Sequence, residues 1–300
     1  MLDKKCETVL EVRDLTKEYN NFSLNGINFT VQKGNVTGFI GINGAGKTTT
    51  IKSIAGLTIP SCGDIYFGGE KITSKNEHII KDRVGFLLDG DYYYPELTLM
   101  TMKNIVARAY SNWNDKLFHD LIKQFELNPK QKISTLSKGM KIRFSLALAL
   151  AHKAEILIMD EPTSGLDPLI RSELIDILKD LTQDGVSILL SSHITSDLEK
   201  IADDVALIHK GNVIFQQDID TLRSSHFVVT GKRSSLTPKR EKLFLKTSET
   251  KDNFKGVYSG DRDTILSEFA SDSDCNVSDA NMEDIMLGYV FRDKKYTNSK

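Results

Sequence analysis

Residues 41–48 of this 300-residue chain read Gly41-Ile42-Asn43-Gly44-Ala45-Gly46-Lys47-Thr48, with Thr49 directly behind, a full G-x-x-x-x-G-K-[ST] pattern. Glycines at this spacing let the backbone curl until successive N–H groups face one point. A helix start behind them adds positive partial charge. Lys47 then reaches the β- and γ-phosphates, the Thr48 hydroxyl ligates Mg²⁺, and Asn43, Gly44, Ala45, Gly46 and Thr49 complete the cradle. A glycine-rich turn that binds nothing is the bland alternative; the Lys-Thr pair at the helix start weighs against it. The chemistry implied is binding of a nucleoside triphosphate.

Two more constellations carry the same chemistry. Ile156-Leu157-Ile158-Met159-Asp160-Glu161 is an apolar strand with acids at its C-terminal end, the usual place for a site in a parallel sheet. Asp160 is placed to hold Mg²⁺, directly or through water, and Glu161 to polarise an attacking water as general base. Read alone, Asp160-Glu161-Pro162 is equally an ordinary charged turn. His193 follows a second apolar run, Ile188-Leu189-Leu190-Ser191-Ser192. A lone histidine is more often structural, yet at the same end of the same sheet it is placed to contact the γ-phosphate and the water.

The elements that must position these groups alternate between strands and helices, which predicts an α/β fold with a mostly parallel sheet. Residues 9–15 and 26–31 read as strands of an N-terminal antiparallel β layer, with Tyr19 between them. Strands are expected at 63–67, 84–88, 156–159, 186–190, 205–209 and 213–215. Gly68-Gly69 and Lys210-Gly211-Asn212 serve as hairpin turns. Helices are expected at 49–57, over most of 97–125, and at 140–151, 168–181 and 196–202, with Ser137 able to cap the third. Near Ser224 the character changes: 234–253 is rich in Lys, Ser and Thr with weak periodicity. Helices are expected at 264–270 and 281–289, and 293–300 is a polar tail with fraying expected. The expected boundary lies at 222–227, giving a domain over 1–223 and an accessory region over 224–300.

Composition narrows the class. A net charge of −2 gives no global pull toward nucleic acid or an anionic membrane surface. Cys6, Cys62 and Cys275 lack metal-ligand spacing and read as reduced thiols of a cytosolic protein. No basic-then-apolar leader opens the chain, so export is not expected, and no apolar run approaches a membrane span of roughly 18–20 residues.

Leu136-Ser137-Lys138-Gly139-Met140-Lys141 lies ahead of the acidic strand, Ser164-Gly165-Leu166-Asp167 just after it, and His193 beyond. This order closely resembles the nucleotide-binding subunit of ABC transporters over roughly residues 9–215, and the bacterial exporter type in particular. The resemblance implies a P-loop NTPase core with a helical signature subdomain at about 90–155. It also implies an ATPase that closes as a homo- or heterodimer around two ATP and Mg²⁺. Tyr19 matches the aromatic that stacks on adenine, with Phe22 near enough to compete. Ser137 and Gly139 match positions that contact the opposing subunit's ATP, and Asp167 the loop that crosses the dimer. Asp160 matches the magnesium acid, Glu161 the catalytic carboxylate and His193 the switch histidine. Two departures stand out: Lys138 and Met140 alter the common Leu-Ser-Gly-Gly-Gln signature, and Asp89, followed by Gly90-Asp91, stands where glutamine is usual. A carboxylate there can still bind water or Mg²⁺, so Asp89 joins Thr48 and Asp160 as a metal candidate.

The function expected is an ATPase subunit, peripheral on the cytoplasmic face of the membrane, that powers export through a separate transmembrane permease. The transported substrate is not readable from this chain. Residues 89–99, with Tyr92-Tyr93-Tyr94, are the expected coupling surface; three adjacent aromatics cannot all point inward, and partial burial against Leu97 and Leu99 is the plainer reading. The rival is a soluble ABC ATPase in a non-transport assembly. A GTPase is disfavoured, since the guanine-reading Asn/Thr-Lys-x-Asp motif is not found at a suitable strand end.

Overall fold

The computed structural model describes residues 7–90 and 92–297. Cys6, Asp91 and the last three residues of the expected polar tail lie outside them, while 293–297 are helical. The chain divides into two compact units between Val213 and Ile214, upstream of the 222–227 stretch.

In the first unit β1 (Thr8–Tyr19) and β2 (Phe22–Gln32) form an antiparallel hairpin, longer than its apolar cores foretell. β3 (Val36–Ile40) runs into α1 (Lys47–Ile54). β4 (Cys62–Phe67) and β5 (Glu70–Lys71) extend the first sheet in the order β2-β1-β4-β5. After α2 (Glu77–Lys81) and β6 (Val84–Leu87) come three helices: α3 (Leu99–Val106), α4 (Asp115–Gln124) and α5 (Lys138–Ala151). β7 (Ile156–Asp160), α6 (Pro168–Gln183), β8 (Ser187–Ser192), α7 (Thr195–Leu198), β9 (Asp204–His209) and β10 (Asn212–Asp218) follow, the last crossing the division. The second sheet has the order β10-β9-β3-β8-β7-β6. Within it β3 is parallel to β8 and β9, and β7 to β6 and β8. Every residue of β3, β7 and β8 is buried, which explains their near-continuous apolar runs. Phe29 of β2 stacks on Phe39 of β3, ring centroids 5.0 Å apart, fastening the two sheets together.

Two expected helices are shorter in the structure. The span 97–125 is broken at Tyr110–Asn114: the chain tightens to a 3₁₀ turn at Ala107–Ala109, and the Asn114 side chain caps a new helix by accepting from Leu117 N at 3.0 Å. The helix expected at 196–202 stops at Leu198, because Lys200 N and Ile201 N bond three residues back, to Asp197 O and Leu198 O.

The second unit is folded, with its own core. It contains α8 (Ile219–Ser225), β11 (His226–Lys232), α9 (Pro238–Glu241), β12 (Phe244–Glu249), β13 (Asn253–Ser259), α10 (Arg262–Phe269), β14 (Asn276–Asp279) and α11 (Met282–Thr297). The strands form an antiparallel sheet, β12-β13-β11-β14. Phe227, Val229, Phe244, Phe254, Ile265 and Phe269 make the core. Arg240 ties the polar segment down: it donates to Asp272, to Glu268 Oε1 at 3.2 Å and to Glu268 O at 2.6 Å. Its guanidinium lies 4.5 Å from the Phe269 ring centroid.

A buried titratable group sits in the first unit. His152, at the end of α5, stacks on Tyr110 with centroids 3.8 Å apart, and its Nδ1–H donates to Asp82 O at 3.1 Å. Burial pushes its imidazole below the ordinary 6.5. Near and below that pH the unfolded chain takes up a proton here that the folded chain resists, so this stability is complete above the ordinary value and lost as pH falls. One such group contributes at most about 1.4 kcal/mol per pH unit. Urea midpoints measured from pH 7.5 to 5 should therefore fall more steeply for the native chain than for His152→Gln.

Candidate functional site

The sheet register decides where the chemistry meets. Ile40 is paired with Ser192, and Asp160 with Ser191, so the phosphate loop, Glu161 and His193 all leave the same edge of three neighbouring strands. Leu87 is paired with Met159, which brings the segment leading to Asp89 out beside them.

At the loop, Gly46 caps α1 with φ 120°, a conformation that side chains other than hydrogen rarely adopt. A Cβ there would lie 2.7 Å from Leu24 and 3.0 Å from the Phe22 ring. No side chain caps the first turn of α1, which leaves its leading amides without a side-chain acceptor, an arrangement able to receive an anion. Thr48 is exposed, and Asn43 and Gly44 are exposed beside it, whereas Lys47 is 6% exposed.

The Lys47 ammonium donates to Gly41 O at 2.7 Å and sits 3.1 Å from Glu161 Oε1. Glu161 Oε2 meets His193 Nδ1 at 2.7 Å and accepts from His193 N at 3.3 Å. Asp160 is buried, and Ser191 Oγ donates to its Oδ1 at 2.7 Å. That same hydroxyl accepts from Glu161 N at 3.1 Å. Glu161 has φ 51°, a left-handed conformation that turns the end of β7 so its carboxylate faces Lys47. Lysine, two carboxylates, imidazole and serine thus form one continuous network. Sequence reasoning missed Ser191. Its signal was a pair of hydroxyl residues closing an apolar strand immediately before His193.

A second group assembles around the start of α5. The Ser137 hydroxyl caps that helix by accepting from Met140 N at 3.2 Å, as its position predicts. Gly139 is required by close approach: a Cβ there would lie 2.9 Å from Ile170 of α6. Asp167 caps α6, its Oδ1 accepting from Leu169 N and Ile170 N at 3.1 Å each. Ser137 and Asp167 are both exposed. Asp89 pairs with Lys138 at 3.6 Å rather than with Thr48 or Asp160.

Asp160 and Glu161 of the first group, with Asp89 and Lys138 beside the second, line a cleft of about 380 Å³ between the end of β6 and helices α3 and α5. Tyr93 turns inward there, donating to Ser145 Oγ at 2.9 Å with its ring edge-on to Phe144. Burial pushes its phenol up to about 12. Tyr92 and Tyr94 stay exposed, at 48% and 64%. Tyr19 is also exposed, with Lys17 Nζ 5.5 Å from its ring centroid, while Phe22 packs at the phosphate loop.

Oxygen donors suit a hard cation, and the Thr48 hydroxyl and Asp160 carboxylate are such donors. No group of three or more His, Cys, Asp or Glu among the described residues forms a metal site, so a cation here would complete its shell from phosphate and water.

Comparison with known proteins agrees with this geometry. The family described as ABC transporter matches residues 24–164. The bacitracin transport ATP-binding protein BcrA of Bacillus licheniformis is 35% identical over 222 residues, 72% of each chain. The Nod factor export ATP-binding protein I of Burkholderia lata is 35% identical over 212 residues, 68% of this chain and 69% of that one. A solved ATP-binding subunit of an ABC transporter superposes with a TM-score of 0.65 at 31% identity, over 72% of this chain and 92% of its own. With the glycine-rich loop, the acidic strand end and His193 at one sheet edge, and relatives this similar over most of its length, the chain belongs to the ATP-binding subunits of ABC transporters and is an ATPase.

Proposed function

We propose that this chain pairs with a second ATP-binding subunit around two ATP molecules and powers export through a separate transmembrane permease, at the inner face of the cell membrane. The observation that carries the pairing is the second group: exposed Ser137 and Asp167 cap two helices held together at Gly139 and Ile170. A helix start of this kind is an anion site, suited to the ATP of a facing subunit. The separate permease is supported by the absence, among the described residues, of any helix long and apolar enough to cross a membrane. Export is supported by similarity to a protein named for Nod factor export. The docking surface is the cleft beside Asp89 and Tyr92, where an exposed aromatic rims an apolar floor.

In this reading Tyr19 stacks on adenine, its exposed ring being free where Phe22 is packed. The loop amides and Lys47 hold the β- and γ-phosphates. Mg²⁺, held by Thr48 and Asp160, supplies positive charge to the phosphate oxygens when bound. A γ-phosphate would compete with Glu161 for the Lys47 ammonium, which lies 3.1 Å from Glu161 Oε1. Released from Lys47, Glu161 Oε1 takes the proton of a water whose oxygen bonds to γ-phosphorus as the bond to the β-phosphate oxygen breaks, giving ADP and phosphate. His193 keeps Glu161 oriented through Oε2 and steadies the γ-phosphate. Ser191 holds Asp160 in place.

Lys47→Ala should weaken ATP binding by about 10–100-fold, the loss of charge-assisted hydrogen bonds worth roughly 1.5–3 kcal/mol. Calorimetry reads this, and unchanged affinity would overturn the phosphate-loop assignment. Glu161→Gln should bind ATP normally but hydrolyse it about 10²–10⁴-fold more slowly. Light scattering with ATP and Mg²⁺ should then show an accumulated dimer; a monomer throughout would count against the pairing. The native chain should also co-purify from membranes with a polytopic protein. Recovery solely with soluble proteins would point to an assembly ATPase instead.

A further inference from the structure

We propose that Arg171 and Asp197 are a positioning pair that ties the loop carrying Asp167 to the loop carrying His193, so that contact at the subunit face sets the geometry of Glu161. This rests on the roles given above to Asp167, His193 and Glu161.

Arg171 lies one turn into α6, its N–H bonded to Asp167 O at 3.0 Å. Its Nη2 donates to Leu166 O at 3.4 Å, the carbonyl immediately before Asp167. Across from it stands Asp197, on the single turn of α7 that begins two residues after His193. Asp197 is 1% exposed, and its Oδ2 lies 3.8 Å from Arg171 Nε. Both of these atoms are buried and neither makes a hydrogen bond, so the pair is held by charge alone and is not fully closed.

A buried carboxylate facing one guanidinium at that distance is a poor device for stability: apolar residues of similar volume often serve as well or better. What the pair does provide is a charged link between two loops that sequence places 26 residues apart. A shift of Asp167 against a facing subunit moves Leu166 and the start of α6, and with them Arg171. Asp197 follows its counter-charge, because separating the two leaves an ion buried alone. Asp197 carries α7, α7 carries His193, and His193 grips Glu161 Oε2 through both its ring nitrogen and its amide. Hydrolysis in one pocket is thereby sensitive to what Asp167 touches.

The test uses the full-length chain. Asp197→Asn and Arg171→Gln, each removing one of the two charges, should each lower kcat about tenfold, part of the ~10²-fold that a misplacement of 1 Å can cost. KM for ATP and the calorimetric affinity should stay within about twofold, since neither residue belongs to the phosphate loop. The double variant Arg171→Met/Asp197→Leu removes the buried charges together and should melt like the native chain while hydrolysing as slowly as the single variants. A double variant with native kcat would overturn the tie even if a single variant fails to fold, as would native kcat in both single variants. His193→Ala, assayed alongside, separates the cases. If it is crippled while the pair variants are normal, only the tie is wrong. If it too hydrolyses at the native rate, the reading of His193 fails and the tie with it.

Discussion

Ile40, Ser192 and Asp160 end three adjacent parallel strands in matched register, and this pairing is the constraint on which the rest of the first unit depends. It requires that β3, β8 and β7 be buried along their whole length, because a one-residue slip in any of them would displace a functional group by about 3.3 Å and turn its side chain to the other face. The apolar strands therefore act as a ruler. Phe29 stacked on Phe39 locks the antiparallel layer onto that ruler, and the layer in turn brings Leu24 and Phe22 against Gly46. The shape of the phosphate loop is set from both sides.

The site gathers charge where burial disfavours it. Lys47, Asp160 and Glu161 are buried or nearly so, and each is held in a different way: ammonium on a carbonyl and a carboxylate, Asp160 on a serine hydroxyl, Glu161 between lysine and imidazole. Isolated, such ions would be unstable in the interior. The left-handed backbone at Glu161 adds strain of about 1–3 kcal/mol. None of this serves folding. The surrounding sheet core offsets it, and on the function proposed above these are charges oriented in advance for a triphosphate.

The phosphate loop, the acidic strand end and His193 were legible because parallel buried strands read as continuous apolar runs, and chemistry in such folds falls where those runs stop. Ser191 was hidden inside one of them: a hydroxyl in a strand carries no signal until its partner Asp160 is seen beside it. The break at Tyr110–Asn114 was hidden too. Apolar spacing continues across it, and what ends the helix is a capping side chain and the stacking of Tyr110 on His152, a contact 42 residues distant. In the second unit, consecutive Phe244 and Leu245 are both buried, one against Phe254 and Phe269, the other over Gly288 of α11. Adjacent buried residues at the start of β12 break the alternation, so 234–253 shows only weak periodicity although it belongs to a folded unit.

The two departures from the common family pattern are also one contact. Lys138 stands in the signature and Asp89 where glutamine is usual, and their side chains meet at 3.6 Å. At 42% and 63% exposure such a pair is worth about 0–1 kcal/mol, too little to matter for folding. Its weight lies in what it joins. Asp89 belongs to the segment beside the cleft, Lys138 lies between Ser137 and Gly139 on the helix start, and the Lys138 amine comes within 4.0 Å of where a side chain at Gly165 would begin. Three loops that sequence keeps apart are bridged by one lysine. The exchange also conserves charge: a cation and an anion replace two neutral residues, and the ends of the pair sum to zero. Glutamine at 89 alone would leave the lysine without its carboxylate, and glycine at 138 alone would leave Asp89 without its cation in a cleft whose lining also holds Asp160 and Glu161. Each departure makes electrostatic sense only in the presence of the other.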